Sequence, residues 1–340
     1  TTVAYVPSDT YTGDLKWETT SQFNVGVDLS LFNNRLRMTA DYYRKKTTDL
    51  LNNVEMPRSS GYTTALRNIG SIRNSGFELQ LDGRIIDRAV KWDLGVNFSL
   101  NRSKVLVLSE DKDIFGGELD NTILKDQLNL MRVGEPMYVF YGYVEDGYDE
   151  NGHIVYKNMD DDPAITAADK TIIGDPNPDF LVNLTTAVSY KGFTLSAFFQ
   201  SSIGNDIYSL SMAAQAYDYG YNGNTLREVY YNHWTPENPT AKYPNLDQTS
   251  YKMSDRFVYD GSFVRLKNLE LAYDVPCARS KFIKRARVYV SAQNLFTITS
   301  YPFWDPDINA NGGGSSMIQG VDSYCYPSAR TYTIGCRLTF

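Results

Sequence analysis

The sequence predicts an all-β protein whose strands form part of a large transmembrane β-barrel. Three observations predict it: apolar residues recur at every second position, the alternating segments are long, and short connections alternate with very long ones. Period-two alternation marks a strand, because successive side chains leave opposite faces. Each segment runs for about 10 residues or more, the length that crosses a bilayer when tilted. Compact soluble sheets use strands of about 5–6 residues and rarely carry long loops without structure.

The elements follow in order. In QFNVGVDLSL the apolar set is Phe23, Val25, Val27, Leu29 and Leu31. After the turn at Phe32, Asn33 and Asn34, the residues Leu36, Met38, Ala40 and Tyr42 alternate with Arg37, Thr39 and Asp41. Phe77, Leu79 and Leu81 alternate with Glu78, Gln80 and Asp82, and Trp92 to Leu100 keeps the rule. Val182 to Tyr190 and Phe193 to Phe199 flank a tight turn at Lys191-Gly192. The phase slips near Asn268 and resumes at Leu269, which predicts a bulge. Val288 to Gln293 and the closing YTIGCRLTF complete the set, with Cys336 on the apolar face as a small hydrophobe. Nine spanning strands are therefore expected at about 19–31, 35–47, 75–86, 90–101, 180–190, 192–203, 262–274, 285–297 and 329–340. The long connections are then about 48–74, 102–179, 204–260 and 299–328. Met137 to Asp146 also alternates, and is assigned to a folded part of the 102–179 loop. Short turns on one side and long loops on the other is the plan of an outer-membrane barrel, with the short turns periplasmic.

Composition agrees. Aromatics are 14 % of the 340 residues, and 26 of them are tyrosine, a residue favoured where one end of a side chain is buried and the other wet. No run of about 18 apolar residues predicts a transmembrane helix. A net charge of −7 argues against nucleic acid as the partner. Three cysteines without a CxxC pair and two histidines argue against a zinc site. The start, TTVAYVPSDTYTGDLKW, has no signal-peptide pattern, so either targeting was removed or the protein begins upstream. Nine strands place the two ends on opposite sides, and an open edge in lipid leaves backbone groups unpaired at several kcal/mol each. The rest of the barrel is therefore expected from another segment, and a closed small porin is disfavoured.

The stretches DLKWETTSQFNVGVDLSLFNNRLRMTADYYRKKTTDLL, NIGSIRNSGFEL, IGDPNPDF, SFVRLKNLELAYDVP, VYVSAQNLFTITSYPFWDPD and GVDSYCYPSARTYTIGCRLTF span nearly the whole chain. They resemble the C-terminal barrel of the SusC/RagA family of TonB-dependent transporters, nutrient importers of the Bacteroidetes outer membrane. The resemblance implies a barrel of about 22 strands with a plugged lumen. It implies that residues 1–340 are the C-terminal part, with the N-terminal strands and plug domain absent. It further implies a SusD-like surface lipoprotein over the outer loops, energy from TonB through the missing N-terminal region, surrounding outer-membrane lipid, and no enzymatic activity or required cofactor. Phe340 matches the family's C-terminal aromatic assembly signal.

Candidate substrate-binding residues are the loop aromatics Tyr219, Tyr221, Tyr231, Trp234, Phe303, Trp304, Tyr324 and Tyr326. Their stiff faces suit sugar rings, peptide side chains or a partner protein equally, and packing within the loops is the bland alternative. Asn158, Asp160, Asp162, Thr166 and Asp169 place oxygens at positions 1, 3, 5, 9 and 12 of a calcium-binding EF-hand-type loop. Pro163 stands where that loop needs glycine, Asn158 lacks a charge, and Asp169 is shorter than the usual glutamate. The alternative is an acidic turn ordered by its own Asx hydrogen bonds. The inward charges Arg37, Asp41, Glu78, Asp82, Arg265, Lys267, Arg287 and Arg337 are expected to be solvated or to pair laterally, or else to line the route or meet the plug. No GxSxG, HExxH or P-loop pattern occurs, and nothing singles out a glycosidase carboxylate pair. The competing reading is a secreted all-β carbohydrate-binding or glycan-hydrolysing protein, which would be monodisperse without detergent.

Overall fold

In the computed structural model, residues 11–12, 15–55, 58–62, 64–109, 112–120, 124–217, 224–277, 282–308 and 317–340 are described. Nine antiparallel strands lie side by side in chain order: β1 (Thr19–Leu31), β2 (Leu36–Glu55), β3 (Thr64–Asp87), β4 (Val90–Leu108), β5 (Phe180–Tyr190), β6 (Phe193–Ile203), β7 (Phe263–Val275), β8 (Arg285–Thr299) and β9 (Thr331–Thr339). Tyr11–Thr12 adds a short parallel partner to β3. Among the described residues β1 pairs only with β2 and β9 only with β8, so this wall has two open edges.

The turns use positive φ, which Asn and Gly supply most easily. Phe32, Asn33 and Asn34 take φ of 54°, 55° and 63°. Lys191 and Gly192 take 48° and 86°, the two left-handed positions of a two-residue hairpin turn. The expected bulge sits at Lys267: Leu266 faces Phe199 and Asn268 faces Phe198, with Lys267 unpaired between them.

Pairing register sorts the wall into rows. Trp92, Val188, Leu195, Leu271, Val290 and Ile334 lie in one continuous row across six strands. Leu29, Met38, Leu81, Val96, Leu184, Phe199 and Leu266 form another. The intervening rows are polar, for example Asp28, Thr39, Gln80, Asn97, Asn183, Gln200 and Arg265. Much of the apolar rows is left uncovered, with Ile334 86 % exposed and Val290 52 %, while Leu266 beside the bulge is 5 % exposed.

The sequence expectation of a loop over 48–74 is corrected. β2 and β3 stay paired from Leu36–Gly83 out to Glu55–Thr64, and β4 runs on to Leu108. At about 3.3 Å per residue, the 24-residue β3 is far longer than a bilayer strand and stands well above the membrane. The alternation was hidden by irregularities, with register shifts between Thr47 and Leu50 and between Ser71 and Ile72. Gly70 is required there: its φ is +149°, and a Cβ would fall 2.0 Å from the Val107 carbonyl oxygen.

The other long connections fold into a layer over the loop end. Ile114–Phe115, Asn129–Met131, Val139–Gly142 and Thr171–Gly174 make a four-stranded sheet, and Glu145–Tyr148 pairs with Ile154–Tyr156. The strand expected in 137–146 is thus in the outer loop. Asp206–Ser209, between Val258–Asp260 and Val321–Asp322, runs into α1 (Leu210–Tyr217), and α2 (Arg227–Tyr231) follows. The apolar core lies here, around Phe140, Tyr208, Met253, Phe257 and Val321.

Candidate ligand-facing site at the loop end of the wall

Arg265 points inward from β7 and is only 2 % exposed. Solvation, a lateral pair along the wall, or contact with the route or plug is the sequence expectation for it; instead the segment after β8 folds onto it. Its guanidinium pairs with Asp305, donates from Nε to Thr297 Oγ1 at 2.9 Å, and from Nη1 to Ser328 Oγ at 3.2 Å. Asp305 also accepts the Ser328 and Asp307 N–H groups, each at 2.9 Å. Burial raises the Asp305 carboxyl, but these donors and Arg265 outweigh it and hold it below the usual range. Arg287 behaves as expected, lying 3.6 Å from Glu270 and 3.5 Å from Asp274.

Two cavities flank this junction and share Pro306. One, of about 360 Å³, is lined by Arg265, Asn294, Trp304, Asp305 and Arg330. The other, of about 240 Å³, is lined by Asn183, Gln200, Phe263 and Asp307. Asn183 Oδ1 and Asn294 Oδ1 are buried without a hydrogen-bond partner among the described residues, leaving an acceptor in each lining. The alternation pattern does not single out Asn183, Gln200, Asn294 or Arg330; for Asn183 and Gln200 the available signal is an amide at an inward position.

The loop layer is tied together by buried polar links. Tyr301 donates to Asp322 Oδ2 at 2.6 Å, and Ser211 Oγ reaches Asp322 Oδ1 at 3.1 Å. Burial first, then the Asp322 carboxylate, pushes the Tyr301 phenol up. Arg256 pairs with Glu145, and Ser254 Oγ donates to Glu145 Oε1 at 2.7 Å. Tyr259, mainly through burial, is pushed up to about 12.

The candidate aromatics divide. Tyr231, Trp304, Tyr324 and Tyr326 are exposed, Tyr326 at 90 %. Trp304 stacks on Phe303 with ring centres 4.7 Å apart, and Phe303 packs on the loop core. Trp234 packs over Gly152, where a Cβ would fall 2.3 Å from the indole. Of these aromatics only Trp304 lines one of the two cavities. Tyr219 and Tyr221 lie outside the described residues.

In the acidic loop, the oxygens assigned to calcium accept backbone N–H groups. Asp160 donates to Asn158 Oδ1 at 3.0 Å, Asp162 to Asp160 Oδ1 at 2.8 Å, and Ala168 to Thr166 Oγ1 at 3.2 Å. Among the described residues no cluster of three or more His, Cys, Asp or Glu gathers as for a metal. Asp169 is fully buried and accepts from Met159 and Thr166 N–H, each at 2.7 Å. Those donors, Met159 first, hold its carboxyl below the usual 3.8. A depressed folded value means the stabilisation is present above the unfolded value and lost as pH falls through the folded one. Acidification below 3.8 is therefore expected to loosen residues 158–169, and Asp169→Asn to do so at neutral pH. Amide exchange at Met159 and Thr166, corrected for intrinsic rates, checks this; unchanged protection would refute it.

Comparisons with known proteins bear on this arrangement. The profile of the TonB dependent receptor-like β-barrel family matches residues 3–295. The chain is 34 % identical to TonB-dependent receptor P3 of Formosa agariphila, over 98 % of this chain and 35 % of that protein. It is 29 % identical to TonB-dependent receptor SusC of Bacteroides thetaiotaomicron, over 96 % of this chain and 32 % of that protein. Among solved structures, the RagAB peptide transporter superposes with a TM-score of 0.81 at 29 % identity, covering 96 % of this chain and 36 % of the other. The chain thus spans 35 % or less of these curated relatives.

Proposed function

This chain belongs to the TonB-dependent receptor-like β-barrel family of the outer membrane, and from that premise we propose that it supplies wall and outer loops to a nutrient importer. In this reading residues 1–340 are the C-terminal part of the barrel. The earlier strands come from the rest of the protein and pair with the open edges of β1 and β9, and the plug domain, also from the rest of the protein, fills the lumen. Uptake is driven through TonB, and a SusD-type surface lipoprotein covers the loop layer. The cargo is an oligopeptide, as favoured by likeness to a structure described as a peptide transporter; an oligosaccharide is the second reading.

One observation carries the proposal. Apolar residues such as Leu195, Leu271, Val290 and Ile334 stand exposed on the outward face, the polar rows line the opposite one, and the apolar core lies in the loop layer. A secreted sandwich would bury those apolar residues between its sheets. Passage along the inner face needs binding that is selective yet reversible, and exposed Trp304 above a polar cavity suits that task.

The test is uptake by cells carrying the full-length protein. Trp304→Ala is expected to lower uptake of labelled oligopeptides about tenfold, equivalent to ~1.4 kcal/mol of lost binding, at unchanged outer-membrane level. Uptake of oligosaccharides but not peptides would select the second reading, and uptake of neither would overturn the importer.

A further inference from the structure

Above the apolar rows, the outward face of β2, β3 and β4 turns basic. On these three strands the row Tyr42, Phe77 and Leu100 is the last apolar one before the cations, with Phe23 of β1 opposite Arg44 in the next row. Two residues nearer the loops, Arg44 and Arg102 flank Ser75 on the same face. Two further on, Lys46, Arg73 and Lys104 stand directly opposite one another on three adjacent strands. Arg44, Lys46, Arg102 and Lys104 are exposed and Arg73 is half-buried.

This arrangement is costly by itself. Like charges directly across a ladder repel, and adjacent strands lie only about 4.8 Å apart. Arg102 has a carboxylate partner, Asp179 at 2.6 Å. Among the described residues Arg44, Lys46, Arg73 and Lys104 have none. The chain as a whole is acidic, at −7, so the cluster is a local exception. The outward face of β5 to β8 ends at the same side in Phe180, Ile203, Val264 and Ile298, without a charge.

Its height identifies the partner. The cluster lies on the lipid-facing surface, on the long-loop side, just beyond an aromatic level where Phe77 and Phe98 are 6.3 Å apart and Phe98 and Phe180 5.8 Å. Aromatic girdles mark the level of the head groups. We propose that Arg44, Lys46, Arg73, Arg102 and Lys104 form a docking surface for the phosphorylated sugar head group of an outer-leaflet glycolipid of the lipid A type. This rests on the outer-membrane placement with the long loops outside. Phosphate oxygens accept charge-assisted hydrogen bonds from Arg and Lys, and each basic residue near an anionic membrane surface adds to the attraction.

The experiment uses full-length protein purified from outer membranes in mild detergent, with bound lipid measured by native mass spectrometry. Lys46→Gln, Arg73→Gln and Lys104→Gln together are expected to lower bound lipid A at least about tenfold. Lys45→Gln with Lys91→Gln, two cations on the inner face, is expected to leave it unchanged. In nanodiscs of phosphatidylethanolamine, added lipid A raises the melting temperature of the wild type and not of the triple variant. Equal lipid A on wild type and triple variant overturns the proposal, as does equal stabilisation by phosphatidylglycerol. Should the triple variant fail to assemble, the wild type decides: lipid A lost on raising salt supports the surface, and lipid A never enriched over bulk membrane refutes it. A wild type absent from the outer-membrane fraction would instead overturn the barrel reading itself.

Discussion

Replacing Arg265 with alanine is expected to detach the segment after β8 from the inner wall, at a cost of about 3–5 kcal/mol. That magnitude belongs to a buried pair losing one partner, because the remaining charge stays buried and uncompensated. Asp305 would keep the N–H groups of Ser328 and Asp307 but lose its only cation among the described residues. Thr297 Oγ1 and Ser328 Oγ would lose a donor as well. Lysine is no substitute, since one ammonium cannot reach Thr297, Ser328 and Asp305 from the fork positions of a guanidinium. Arg265→Met with Asp305→Asn should recover much of the loss, because it removes both charges together. Amide exchange over residues 299–308 and 324–330, with the melting temperature in detergent, gives the readout. Unaltered protection in Arg265→Ala would show that the loop is held by other contacts.

The second large effect concerns the outward face. Val290 lies near the middle of β8, in the row running from Trp92 to Ile334. Val290→Arg is expected to cost about 2–4 kcal/mol, the penalty of a basic side chain at the bilayer midplane. Ser291→Arg, one residue on and facing inward opposite Glu270, is expected to be close to neutral. Refolding of the full-length protein into lipid vesicles, followed by heat-modifiable gel mobility, separates the two. A neutral Val290→Arg beside a disruptive Ser291→Arg would mean that the apolar rows face protein rather than lipid.

Much of the wall was legible because a strand's period is a local property. The ends of β1, β5, β6 and β8 fall within about two residues of the sequence expectation, and the phase slip located the bulge at Lys267. The extension of β2 to β4 was not legible, because shifts beside Asp49 and Gly70 scramble the alternation while pairing continues across them. The site was less legible still. Inward parity singled out Arg265 as a charge on the inner face, yet nothing local announces that Asp305, 40 residues later, would bury it. Trp234 and Trp304 read alike in sequence, and only the neighbouring Gly152 and the open cavity separate packing from exposure.

By itself the sequence determined the number and order of the wall strands, their two faces and the end at which the long connections lie. Those follow from side-chain alternation and turn chemistry, which act over a few residues. The tertiary structure alone decided where the apolar core sits, which inward charge is sealed by a loop, and which cations are stacked across β2, β3 and β4. Each of these depends on register between segments far apart in the chain, and register is set by the summed pairing of whole strands rather than by any one of them.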